Sequence, residues 1–188
     1  MEAVTAHAHN VRGIANGIEA GVSCFEHGTF LDEATAQRMA ATGVDLVPTF
    51  AVLRLMAAQW REWRVPEEAL PKLAGAEEAM AASMKLAVAA GVRIGSGSDI
   101  LGPKQEHRGL ELVIKSELLG PMAAITSATS ANAGILRVAE RVGRVAEDMV
   151  ADVIAVAGDP LGEPGVLDDP RRVVLVVKGG QVVKDQRA

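Results

Sequence analysis

Between residues 4 and 139, short apolar runs alternate with stretches of helical character, and most junctions carry a start or stop signal. Residues 4–8 read as a buried strand. Asn10 is placed to cap a helix to about Glu19, with Gly21 as its stop. Residues 22–26 read as a second strand, and Asp32 caps a helix to about Ala41. That helix presents Ala36, Met39 and Ala40 on one face and ends at Gly43. A third strand is expected over 44–50, broken late by Pro48. A fourth is expected over 92–96, after a long helix at about 73–90 that stops at Gly91. Crossovers long enough to hold a helix imply right-handed βαβ units and a parallel sheet. Four such units make half of a (β/α)8 barrel, a fold that takes about 250 residues.

Two regions depart from this rhythm. Residues 53–71 carry Trp60, Trp63 and Pro66 among alternating charges, and read as an inserted helical excursion that shapes a pocket. The two tryptophans either form an apolar lid or pack the excursion itself. Helices are expected again at about 108–119 and at 121–139, the latter with Pro121 at its first position. Beyond about 140 the pattern turns to β. Residues 150–156 read as a strand, and 173–183 as a hairpin turning at Gly179-Gly180. The expected division is therefore 1–140, a partial barrel, and 141–188, a small β appendage.

Composition limits what such a fold can do. Hydrophobic residues make up 49% of the 188 residues but aromatics only 3%, so a sizeable core must be largely aliphatic. With a net charge of −5 and no basic run longer than Arg171-Arg172, a nucleic-acid partner is not expected. No run of 18 apolar residues occurs, so no membrane span is expected. The first residues, Met1 to His7, show no basic stretch followed by an apolar one, so no signal peptide is expected. The single cysteine, Cys24, allows no internal disulfide and fits a reducing compartment. Together these point to a cytoplasmic protein.

Three of the expected strands end in potential metal ligands. His7 and His9, two apart on one strand, point to the same face. His27 closes the second strand within Glu26-His27-Gly28, where Glu26 should face the opposite way along the pleat in a structural role. Asp99 follows Gly95-Ser96-Gly97-Ser98, small residues that allow a ligand close to the backbone. In a parallel βα sheet these ends share one mouth, and a carboxylate there can hold a metal and serve as general base. Each residue also has a plainer reading: a satisfied histidine pair, a lone strand-end imidazole, or a capping Asp. The Gly-Ser run could instead cradle an anion, as in a flavodoxin-like domain, although no Lys stands at the Walker position. His107 and Glu111, one helical turn apart, either line the mouth or lie on the surface. Cys24 reads as a core residue rather than as a nucleophile paired with His7 or His27.

Taken in order, Thr5-Ala-His7-Ala-His9, Glu26-His27-Gly28-Thr29, Val47-Pro48-Thr49-Phe50 and Gly91 through Asp99 form a recognisable series. It continues with Thr126-Ser-Ala-Thr129-Ser-Ala-Asn132, Ala151-Asp152-Val-Ile-Ala-Val, Gly158-Asp159-Pro160 and Val177-Lys178-Gly179-Gly180. In this the chain resembles the C-terminal half of the amidohydrolase superfamily, in its imidazolonepropionase-like and Xaa-Pro dipeptidase-like branch. The resemblance implies an α/β fold: the second half of a (β/α)8 TIM-type barrel, strands 5–8, plus C-terminal β-sandwich strands. It implies His7, His27 and Asp99 as ligands of a divalent metal, zinc above all, as one or two ions in the intact family. His9 would be a substrate-side neighbour, and His107, placed by its position after Asp99 and not by the motif match, is the other expected substrate contact.

The implied reaction is hydrolysis of a C–N bond in a cyclic amide or dipeptide-like small molecule. Metal-activated water would attack, and Asp99 would pass a proton to the leaving nitrogen. Nothing in the chain corresponds to the family's first-strand His-x-His or fourth-strand lysine. The chain is accordingly expected to be a fragment lacking the N-terminal ligands. The alternative is a non-catalytic truncated chain or an assembly module that pairs with a separate N-terminal half. Two open sheet edges would favour that pairing or a homo-oligomer.

Overall fold

The computed structural model describes residues 3–187, with Gly102 and Pro103 described in backbone only. Met1, where the search for a signal peptide began, lies outside the described residues, as do Glu2 and Ala188. The chain forms two compact units, Met1–Asp99 and Ile100–Ala188. Among the described residues no helix is long and apolar enough to cross a membrane.

The first unit is built from β1 (Thr5–Asn10), α1 (Val11–Glu19), β2 (Cys24–Phe30), α2 (Glu33–Thr42), β3 (Asp45–Val47), α3 (Phe50–Ala58) and α4 (Leu70–Ala90). The strands are parallel in the order β1-β2-β3, and Ile94 adds a further parallel bridge to Leu46. Spatial order therefore follows chain order with no reversal, unlike a doubly wound sheet. The expected starts and stops are present. Asn10 accepts a hydrogen bond from the Gly13 N–H, and Asp32 from the Thr35 N–H, each at an N-cap. Left-handed glycines, Gly43 and Gly91, end α2 and α4.

Alternation along the strands separates two faces. Ala6 and Ala8 of β1, with Phe25, Leu46 and Ile94, pack against Ile14, Met39 and Ala87 from the helices. This is the core, and at Gly17 it admits no side chain. A Cβ there would meet the Phe25 ring at 2.5 Å, so glycine lets α1 lie directly on β2. The other face carries Thr5, Cys24, Glu26 and Asp45. The Thr5 hydroxyl donates to Glu26 Oε1 at 2.9 Å, and Arg93 donates from Nε and Nη2 to the two Asp45 oxygens at 2.8 and 3.1 Å.

Several expected boundaries shift for local reasons. The third strand covers only Asp45–Val47 instead of 44–50, because Pro48 has no N–H for the ladder and α3 already starts at Phe50. The excursion expected at 53–71 is thus one helix, a turn with Pro66, and the start of α4. The fourth strand, expected over 92–96, reduces to the single bridge at Ile94, flanked by hydrogen bonds from Leu46 N to Arg93 O and from Gly95 N to Leu46 O.

In the second unit a 3₁₀ segment, Gly102–Gly109, leads into α5 (Leu110–Leu119), so the helix expected from 108 begins two residues later. α6 (Pro121–Thr126) has Pro121 at its first turn and continues through a π-turn over Ser127–Ala131 into α7 (Asn132–Ile135). It ends short of 139. An antiparallel sheet follows, with β4 (Val153–Val156), β5 (Val173–Lys178) and β6 (Gln181–Asp185) in that order, and Gly179-Gly180 forms the hairpin turn. Lys115 and Glu111, one turn apart on α5 and both buried, form an ion pair at 3.1 Å.

Candidate functional site

At the C-terminal ends of β1 and β2 three imidazoles meet. His7 and His9 project from the same face of β1, two residues apart, as strand periodicity requires. His27 reaches them differently. It pairs with Ala8, which faces the helices, so a regular pleat would carry its ring into the apolar core. Instead His27 adopts φ +73° and Gly28 φ +56°, and the β1–β2 register shifts between Ala8 and Asn10. The left-handed backbone turns the ring over to the polar face. A non-glycine residue in that region costs about 1–3 kcal/mol, a cost found mainly at functional sites. Asp99 shares the device, with φ +52°.

Glu26 was expected to face away from the site by simple alternation with His27. The same left-handed step overturns that direction but not the structural role, because Glu26 accepts from the Thr5 hydroxyl on the face that bears His7.

The rings are held by hydroxyls as well as by one another. His27 Nδ1 lies 2.7 Å from Thr49 Oγ1, and His9 Nδ1 lies 2.9 Å from Thr29 Oγ1. Both threonines are buried. If His9 and His27 donate from Nδ1, each keeps an Nε2 lone pair on the cluster side, and that of His27 accepts from His7 Nδ1 at 2.7 Å. Thr29 is itself tied down from a distance. Ser83 of α4 donates to the Thr29 carbonyl at 2.7 Å and accepts from the Leu31 N–H at 2.8 Å. One buried hydroxyl thus satisfies two backbone groups at the end of β2. Thr29, Thr49 and Ser83 had no part in the expected site. The sequence signals for the two threonines were their places close after a strand-end histidine or proline, in the motifs Glu26-His27-Gly28-Thr29 and Val47-Pro48-Thr49-Phe50.

One nitrogen from each of His7, His9 and His27 lies within 4.8 Å of the others, and the rings contact with centroids 4.3–4.8 Å apart. Burial first, then the neighbouring imidazoles, holds the pKa of His9 and of His27 below the usual histidine value, and the Asp99 charge opposes that shift. Asp99 lines the same cavity of about 390 Å³ without joining the tight imidazole group. Three imidazoles with a carboxylate close by match the donor chemistry of a borderline divalent ion such as zinc, and anchoring a ligand's second nitrogen fixes its tautomer.

His107 lies in the second unit, with Nδ1 3.3 Å from Asp168 Oδ2 beside a hollow that includes Leu110 and Arg171. Glu111 is buried on α5. Cys24 is buried, and its thiol is pushed up to about 12 by burial and by the Glu26 charge, so no thiolate is available near neutral pH.

A model of the amidohydrolase family matches residues 2–183. The chain belongs to the amidohydrolase family. Among its relatives, ochratoxinase from Aspergillus niger is 31% identical over 182 residues, a match covering 96% of this chain and 38% of that protein. A crystal structure of that ochratoxinase superposes with a TM-score of 0.82 over 97% of this chain and 42% of the other. A prolidase solved with N-methylphosphonate-L-proline is 35% identical, with a TM-score of 0.90 over 98% of this chain and 45% of its own. A Xaa-Pro dipeptidase with methionine bound in its active site is 32% identical, with a TM-score of 0.82 over 97% and 45%. This amidohydrolase chain therefore spans less than half the length of these relatives.

Proposed function

We propose that the chain is the C-terminal part of a metal-dependent hydrolase that cleaves C–N bonds. The observation that carries this reading is the meeting of His7, His9 and His27 with Asp99 around one cavity, at the C-terminal ends of parallel strands. In this reading β1, β2, β3 and the Ile94 bridge are strands 5–8 of a (β/α)8 barrel. Sheet order without reversal supports that assignment. Residues 1–140 would complete the partial barrel, and 141–188, with β4–β6, the β-sandwich appendage.

His7, His27 and Asp99 would hold a divalent ion, zinc by preference, as one or two ions in the whole protein. Such an ion, when bound, supplies a Lewis acid for the scissile carbonyl and an activated water. Asp99 takes up a proton on its carboxylate and delivers it to the leaving nitrogen. His9, fixed by Thr29, faces the substrate. His107 remains a proposed substrate contact on its sequence position alone. The prolidase and Xaa-Pro dipeptidase relatives favour a dipeptide-like substrate over a cyclic amide.

A second reading has its own support. Thr5, His7 and Arg93 leave the polar sheet face partly open to solvent, whereas parallel sheets are as a rule covered on both faces. A chain that works only when paired with an N-terminal half would be built this way. The test is hydrolysis of a panel of dipeptides and cyclic amides with Zn²⁺ supplied, by the chain alone and joined to a relative's N-terminal half. Asp99→Asn is expected to lower turnover by about 100-fold or more in any active form. Undiminished turnover in that variant would remove Asp99 from the mechanism.

A further inference from the structure

The cavity has two unlike ends. One bears the histidines and Asp99, the only ionisable groups on its lining among the described residues. The other is an apolar wall made by Phe30 at the end of β2, Val52 and Leu53 on α3, and Ala76 and Met80 on α4. Met80 is 2% exposed and forms a floor, whereas Phe30 is 54% exposed and stands at the rim. Phe30 thus lines the cavity from its mouth, where a ligand can reach it. Ala76, the smallest side chain on the wall, leaves the gap between α3 and α4 open.

The wall is also braced. Arg54, next to Leu53, donates from Nε and Nη2 to Glu77 Oε1 at 3.0 and 2.6 Å, and Glu77 is next to Ala76. The pair joins α3 to α4 beside the gap, and each charge compensates the other. The wall therefore keeps its shape and offers no free charge to a ligand.

We propose that this wall is a specificity pocket that takes an uncharged apolar side chain of the substrate and sets its scissile bond beside the imidazoles. The proposal rests on the hydrolase reading and names the substrate class for that site: amides carrying an aliphatic or aromatic group, with acidic and basic side chains excluded. Exclusion follows from desolvation, since a charge placed against Val52, Leu53 and Met80 would lose water without gaining a partner. Leu53 and Ala76 are the residues that set the selectivity.

The experiment is calorimetric titration of the Zn²⁺-loaded chain with N-acetyl-L-leucine, N-acetyl-L-aspartate and N-acetyl-L-lysine. The leucine derivative is expected to bind about 10- to 100-fold more tightly than either charged one. Leu53→Asp should abolish that preference at unchanged Zn²⁺ stoichiometry. Ala76→Phe, which fills the gap without adding charge, should weaken the leucine derivative alone and covers the case in which Leu53→Asp does not fold. Equal affinities, tighter binding of a charged derivative, no binding of any of the three, or selectivity retained in both variants would each overturn the pocket. Selective binding without hydrolysis would keep the pocket and count against the hydrolase, whereas unselective hydrolysis would do the reverse.

Discussion

The two faces of the parallel sheet in the first unit follow opposite rules. Under the helices, Phe25, Leu46, Ile14 and Met39 are all at most 1% exposed and pack into one apolar cluster. On the other face Thr5, Glu26, Asp45 and Arg93 satisfy one another through hydrogen bonds, and His7 and His9 remain exposed. The strands are the same; only the parity of the residue differs. The helix face supplies most of the stability, and the polar face supplies positioned donors and acceptors. His27 is the one residue that crosses from the first set to the second, and a left-handed backbone is what moves it.

Substitutions can break this contrast, beginning with the largest effect. Phe25→Ala, on the helix face, should cost about 3–5 kcal/mol of stability, since a large ring leaves a cavity that Gly17 has no side chain to fill. Denaturant unfolding measures it, and a loss below about 1 kcal/mol would place the core elsewhere. Ser83→Ala is next. It strands the Thr29 carbonyl and the Leu31 N–H in a buried place, at about 1–3 kcal/mol. The same variant should loosen the ring of His9, visible as a changed imidazole signal by NMR.

Acid should act through the histidines. His9 and His27 hold their protons less tightly when folded than at the ordinary value of 6.5, so below about that pH the unfolded chain binds protons that the folded chain resists. Stability is then unaffected by these groups above 6.5 and falls as pH drops through it. The melting temperature should decrease between pH 7.5 and 5.5, and less so in His27→Asn. Asp169 and Asp185, held at about 2 by Arg171 and Arg187, titrate well below that window and do not contribute to the change. The smallest effect belongs to Thr5→Val, which removes an exposed hydrogen bond on the polar face and should shift stability by less than about 1 kcal/mol. A larger loss would mean that the polar face carries more of the fold than its exposure suggests.

Much of this contrast was legible in the sequence because it depends on local signals. Asn10, Asp32, Gly43 and Gly91 mark helix ends through backbone chemistry that needs no tertiary context. His7 and His9 share a face by parity alone. The rest depended on geometry that periodicity does not encode. Strand parity sends His27 to the wrong side, and only the left-handed step at His27-Gly28 corrects it, which is why Glu26 was misplaced as well. Ser83 acts across more than 50 residues, and the apolar wall exists because α3 and α4 are braced by Arg54 and Glu77. Pro48 was seen as an interruption, but its consequence, a three-residue strand with a helix close behind, follows from where Phe50 packs.

The account stands on the claim that the crossing of His27 assembles a metal site. The direct measurement is competitive Zn²⁺ titration against a chelator for the wild-type chain, His27→Ala, Thr49→Val and Glu26→Gln. Tight binding by wild type is predicted, with a loss of about 100-fold or more in His27→Ala, roughly 10-fold in Thr49→Val, and no change in Glu26→Gln. Equal Zn²⁺ affinity in wild type and His27→Ala would contradict the claim.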